Sequence, residues 1–118
     1  MALSDAYVLD FEQYHEEARM SRNHDRCPTH PGELLREDVI PATGKPKAEI
    51  ARMLGISRQH LYDILAERKP VSPEVAVRLA KLFGNAPLVW IRMQGAYDAW
   101  HAAREVDVSA VPTLVAAE

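Results

Sequence analysis

The chain has one cysteine, Cys27, in 118 residues. A single thiol rules out an intramolecular disulfide framework and suits a reducing compartment, so a cytoplasmic location is expected. No run of about 20 apolar residues is present, so no membrane-spanning helix is expected. The N-terminus lacks a basic stretch followed by an apolar one, so no secretion signal is expected. There is no internal repeat, no low-complexity segment and no glycine-rich phosphate loop. No serine, histidine and acid form a catalytic set, and Ser57 and Ser72 read as helix caps. An enzyme is therefore not expected, and no cofactor is implied.

Net positive charge is also missing: 14 bases stand against 17 acids, a formal charge of −3. The distribution matters more than the total. Residues 1–25 carry six acids against Arg19 and Arg22. Residues 45–69 carry six bases, Lys45, Lys47, Arg52, Arg58, Arg68 and Lys69, against Glu49, Asp63 and Glu67. A local basic field attracts phosphate whatever the net charge. Hydrophobic content of 47% and charged content of 26% are ordinary for a globular domain, and the length suits one domain with short appendages.

The basic region contains the most constrained stretch of the chain, Lys47 to Ala66, KAEIARMLGISRQHLYDILA. Ile50, Ala51, Leu54, Ile56, Leu61, Ile64 and Leu65 recur at helical spacing on both sides of Gly55. Gly55 allows a sharp turn, and Ser57 caps a second helix. This is the layout of a helix-turn-helix, whose second helix enters a major groove. Ile56, Leu61 and Ile64 anchor that helix, leaving Arg58, Gln59, Tyr62 and Asp63 on the face for DNA. Arginine forks onto guanine and glutamine onto adenine; Asp63 is read either as an acceptor for cytosine or as an orienter of Arg58 or Gln59. Lys47, Ser57, His60, Arg68 and Lys69 are the candidate phosphate contacts, which position without specifying. An ordinary helical hairpin explains the apolar spacing equally well, but not the basic flanks or the Arg, Gln and Tyr face.

The surroundings predict an all-α domain. A first helix is expected from Glu33 to Ile40, stopped by Pro41. Ser72-Pro73-Glu74 starts a fourth helix, with a cap, a proline in the first turn and an acid near the positive helix end. Gly84 stops it. A fifth helix follows Asn85-Ala86-Pro87 and runs to about Ala103, carrying Trp90, Ile91, Tyr97 and Trp100. Three regions result: an acidic amphipathic extension and linker over 1–29, a DNA-binding domain over 30–103, and a tail over 104–118 that reads as a short strand or as disordered. In the extension, Tyr7, Phe11 and Tyr14 share one face. His24, Cys27 and His30 have a metal-like spacing, with His15 as a conceivable fourth ligand. An eight-residue loop makes a cramped tetrahedron, so no metal site is expected.

Four ordered segments, HPGELLRE, EIARMLGISR, EVAVRLAKLFG and LVWIRMQGAYDAW, together resemble the HigA-type antitoxins of the lambda-repressor-like (XRE) helix-turn-helix family. The likeness runs from His30 to Trp100. It implies a five-helix domain that forms a homodimer on a palindromic double-stranded operator, neutralises a small basic ribonuclease toxin of the HigB type and represses its own operon. It places Trp90, Ile91, Tyr97 and Trp100 on the last helix, part core and part dimer surface. The aromatic stripe of Tyr7, Phe11 and Tyr14 is expected either to dock on the core of its own domain or, within its acidic segment, to complement a basic toxin, with the apolar tail as a second candidate for partner contact. The alternative function is a stand-alone XRE repressor without a toxin. Relatives often carry a capping serine or threonine where Pro46 stands, so the second helix is expected to begin at Pro46. They often carry Asn-Gly where this chain has Ala66-Glu67, so the third helix is expected to extend slightly.

Overall fold

The computed structural model describes residues 26–115. Five helices and no strand occur among them. Helix α1 runs without a break from Pro31 to Thr43, α2 is Lys47–Leu54, α3 Arg58–Leu65, α4 Pro73–Phe83 and α5 Pro87–Glu105. The aromatic stripe of Tyr7, Phe11 and Tyr14 lies outside the described residues, as do His15 and His24.

His30 opens α1. Its Nδ1 accepts a hydrogen bond from the Gly32 amide at 2.8 Å, as an N-cap side chain does. Burial lowers the imidazole's affinity for a proton, and Tyr97 meets the ring edge-on at 4.7 Å. The ring is thus used twice, as a cap and as core. Cys27 faces elsewhere: its Sγ lies 3.6 Å from Nε2 of His101, a contact that the linear spacing of His24, Cys27 and His30 does not foretell.

Pro41 does not stop α1, contrary to the sequence expectation. The helix passes through it to Thr43 and ends at Gly44. The segment Leu35–Val39 widens into a π-type turn, with the Ile40 amide bonding back to the Leu35 carbonyl. A proline ring inside a helix crowds the carbonyl four residues back and removes one N–H. The wider turn directly before Pro41 supplies the room.

The core is one cluster. Leu35 and Ile40 come from α1, Ile50, Ala51 and Leu54 from α2, and Leu61, Ile64 and Leu65 from α3. Val75, Ala76, Leu79 and Ala80 of α4 and Trp90 of α5 complete it, with Val71 from the connecting loop. Trp90 is only 2% exposed, and its Nε1 donates to Asn85 Oδ1 at 3.0 Å. It is therefore core and not dimer surface, correcting one expectation: an aromatic at a helix start next to a turn closes the corner between α4 and α5. Ile91, Tyr97 and Trp100 are partly buried. The Arg104 guanidinium lies 3.5 Å above the Trp100 ring.

Ser72, Pro73 and Gly84 bound α4 as expected, with Ser72 Oγ accepting from the Val75 amide. Helix α5 runs two residues beyond Ala103, and residues 106–115 after it are exposed, with a turn between Val108 and Val111. Helix α2 starts at Lys47; Pro46 is the extended residue before it, not its first turn.

The contact that sets α1 against α3 is Gly32. A β-carbon there would sit 1.8 Å from the Ile64 carbonyl oxygen, a backbone atom that cannot swing away. We predict that Gly32→Ala lowers stability by about 1–3 kcal/mol, as overpacking does. Urea unfolding of the full chain measures this; an unchanged midpoint would contradict the close approach.

Candidate nucleic-acid interface

The turn between α2 and α3 is built by Gly55, whose φ of 74° is left-handed. Two bonds close it: the Gly55 amide to Arg52 O and the Ile56 amide to Ala51 O, at 3.1 Å each. Ser57 then caps α3, its Oγ accepting from the His60 amide at 3.0 Å. The apolar residues Leu61, Ile64 and Leu65 turn inward. Arg58, Gln59 and Tyr62 remain on the outside, Tyr62 at 39% exposure. Ser57 and Lys47 are also exposed, and His60 is partly so. The side chains of Arg58 and Lys47 make no hydrogen bond or ion pair among the described residues, so both cations stand ready for an anion.

Asp63 does not project with this face. It is 9% exposed, and its Oδ1 accepts from Gln59 Nε2 at 3.0 Å and from Arg68 Nε and Nη2 at 3.1 and 2.8 Å. Lys69 Nζ lies 3.7 Å from Oδ2. The reading of Asp63 as an acceptor for cytosine is thereby corrected: the residue is nearly buried, Oδ1 is taken by Gln59 and Arg68, and Oδ2 faces Lys69. Of the two residues that it was expected to orient, it holds Gln59. Arg68, and more loosely Lys69, are drawn to this carboxylate from the positions expected for phosphate contacts. The Arg68 guanidinium is the main reason that the Asp63 carboxyl lies below the usual carboxylate range, with Gln59 adding to it.

The end of α3 also departs from expectation. The helix stops at Leu65 and does not extend. Glu67 takes φ 63°, the only left-handed residue other than glycine among the described residues. It makes the left-handed turn expected of Asn-Gly, at a cost of roughly 1–3 kcal/mol for a residue with a β-carbon. The Arg68 and Lys69 amides both bond back to the Asp63 carbonyl, at 2.8 and 3.2 Å, which fixes the turn.

Two arginines outside the motif hold its helix ends. Arg78 of α4 donates from Nη1 to Leu54 O at 2.9 Å, at the end of α2. Arg36 of α1 donates from Nη1 to Leu65 O at 2.6 Å and to Glu67 Oε2 at 3.3 Å, at the end of α3. Cations at C-termini offset the helix dipole and satisfy carbonyls left open there. Gln94 of α5 acts similarly on the loop after α3: its Oε1 accepts from the buried Val71 amide at 2.8 Å. Sequence reasoning missed Arg36, Arg78 and Gln94. Their partners lie 29, 24 and 23 residues away, beyond the reach of any local signal.

Fold and site together define a helix-turn-helix protein, with a second motif helix held from behind and a polar N-terminal face that is open. The helix-turn-helix family model HTH_3 matches residues 40–91. Virulence-associated protein I of Dichelobacter nodosus is 35% identical over 69 residues, 58% of this chain and 64% of its own length, so this chain spans just under two thirds of that relative. A HigA-family addiction module antidote protein from Coxiella burnetii superposes with a TM-score of 0.69 at 29% identity, covering 76% of this chain and 100% of its own. Antitoxin GraA in complex with its operator gives 0.68 at 36% identity, covering 75% and 93%. The chain belongs to the XRE-type helix-turn-helix family, and its structural neighbours are HigA-family antitoxins.

The Asp63 cluster predicts an acid response. A carboxyl held below its unfolded value of about 3.9 adds stability that is complete above that value. It is lost as pH falls through the lower folded value. Unfolding midpoints followed downward from pH 6 should therefore fall less steeply in Asp63→Asn than in the wild type below about pH 4. Parallel acid limbs would show that the carboxylate is unpaired.

Proposed function

We propose that the chain is a sequence-specific DNA-binding antitoxin that represses its own operon and neutralises a small basic ribonuclease toxin. The observation that carries the DNA arm is the outward face of α3, where Arg58, Gln59 and Tyr62 sit beyond a Ser57 cap on a helix braced from behind. The operator complex of GraA, a protein of the same fold, supports it. Helix α3 enters the major groove with its N-terminal end leading. Arg58 and Gln59 read base edges and Tyr62 packs against the groove wall. Lys47, the Ser57 hydroxyl, His60 and Lys69 meet phosphates. Arg68 acts mainly from within the protein, through Asp63.

Two copies, joined through the partly buried Ile91, Tyr97 and Trp100 side of α5, place two α3 helices in successive major grooves about 34 Å apart, on a palindromic operator. The acidic segment 1–25 complements a basic toxin. The stand-alone repressor is the competing reading, and the curated relatives described as helix-turn-helix transcriptional regulators favour it. A small basic reading frame beside this one, toxic alone and harmless when co-expressed with this chain, supports the antitoxin. Toxicity without rescue leaves the stand-alone repressor.

For the DNA arm, Arg58→Ala and Gln59→Ala should each weaken operator binding by about 5- to 150-fold while leaving random DNA nearly unchanged. Gel-shift titration measures both. Equal losses on both DNAs would remove these residues from base reading. Lys47→Ala should instead weaken all DNAs alike and reduce the salt slope by about one.

A further inference from the structure

We propose that Asp63 fixes the side-chain amide of Gln59 in one orientation and thereby makes Gln59 select adenine over guanine. The inference rests on α3 entering a major groove. A buried carboxylate stands one helical turn from an exposed amide: Gln59 Nε2 donates to Asp63 Oδ1 at 3.0 Å. A carboxylate only accepts, so the amide facing it turns its nitrogen inward and its oxygen away. Arg68 keeps the carboxylate ionised and aimed, with two bonds to the same oxygen.

An amide has two N–H groups and one oxygen. With one N–H given to Asp63, Gln59 has one donor and one acceptor left for DNA. In the major groove adenine offers one donor, N6–H, and one acceptor, N7. Guanine offers two acceptors, O6 and N7, which would need both N–H groups. The committed amide therefore fits adenine and mismatches guanine. An uncommitted glutamine rotates its amide and serves either purine. Next to it, Arg58 makes no bond to Asp63 or to any other described residue, and its fork of donors suits guanine. Helix α3 thus carries two adjacent readers of opposite preference, and Asp63, which touches no base, separates them. Asp63 is a positioning residue for specificity.

The test selects DNA from a library of randomised duplexes with the full-length wild type, Gln59→Ala, Asp63→Asn, Asp63→Ala and the Gln59→Ala/Asp63→Ala double variant. The wild type should select adenine at one base pair per half-site, which Gln59→Ala identifies by losing that preference. Both Asp63 variants should lower the adenine-over-guanine ratio at that same pair by about tenfold and keep the preferences elsewhere. The double variant should show the ratio of Gln59→Ala alone. An unchanged ratio in both Asp63 variants, or an equal loss of preference at every position, would overturn the proposal. A wild type that selects no sequence would overturn the DNA reading itself. A DNA-free measurement on the wild type stands apart from any folding defect of the variants. The Gln59 side-chain amide resonances should shift with an acidic midpoint as Asp63 takes up a proton, and resonances that do not move with pH would refute the contact.

Discussion

The Asp63 carboxylate is the interaction on which the reading end of this molecule depends. An acid in the last turn of a helix opposes the helix dipole, which favours cations there. Here two cations, Arg68 and Lys69, return to it through a tight turn. The Asp63 carbonyl accepts both of their amides, so one residue holds the turn through its backbone and its side chain together. The same carboxylate reaches back one turn to Gln59. Hydrogen bonds to a charged partner are about twice as strong as neutral ones, and a nearly buried site screens them less than open water does. The C-terminus of α3 and the amide on its outer face are thereby mechanically one unit.

Around that unit the fold is a brace. Gly32 lets α1 lie directly against the α3 backbone, and Arg36 then ties the end of α3 from the same helix. Arg78 does the same for α2 from α4. The guanidinium of Arg78 also fills the space where a side chain at residue 55 would go, 2.7 Å from an ideal β-carbon. Glycine at the turn therefore serves two needs, a left-handed φ and a seat for the arginine. All these contacts come from behind the motif, which leaves the N-terminal face of α3 clear. The strain at Glu67 belongs to the same design: Arg36 reaches its carboxylate as well as the Leu65 carbonyl.

Much of this was legible in the sequence, for reasons of range. Ser72, Pro73 and Gly84 announce α4 because capping acts over three or four residues, and the periodicity of Ile50, Ala51, Leu54, Leu61 and Ile64 announces α2 and α3. What failed was whatever depends on space. Pro41 is a helix breaker by local rule, yet a π-type turn accommodates it. Trp90 reads with the other aromatics of α5 as part core and part dimer surface, and only its place at the corner between two helices makes it core. Asp63 looks like a fourth reader by its place on α3; only its contact with Arg68, across a turn made by a left-handed Glu67, draws it inward. The arginine caps join residues far apart in the chain and leave no local trace.

The proposed function requires α3 of each of two copies to sit in a major groove. Methylation interference at guanine N7, an atom on the major-groove floor, tests it most directly. The full chain is bound to the DNA upstream of its own reading frame. Two clusters of interfering guanines are expected, centred one helical turn or about 34 Å apart and related by the symmetry of the site. Binding with no interfering guanine, or interfering guanines in no symmetric pair of clusters and at no preferred position, would contradict it.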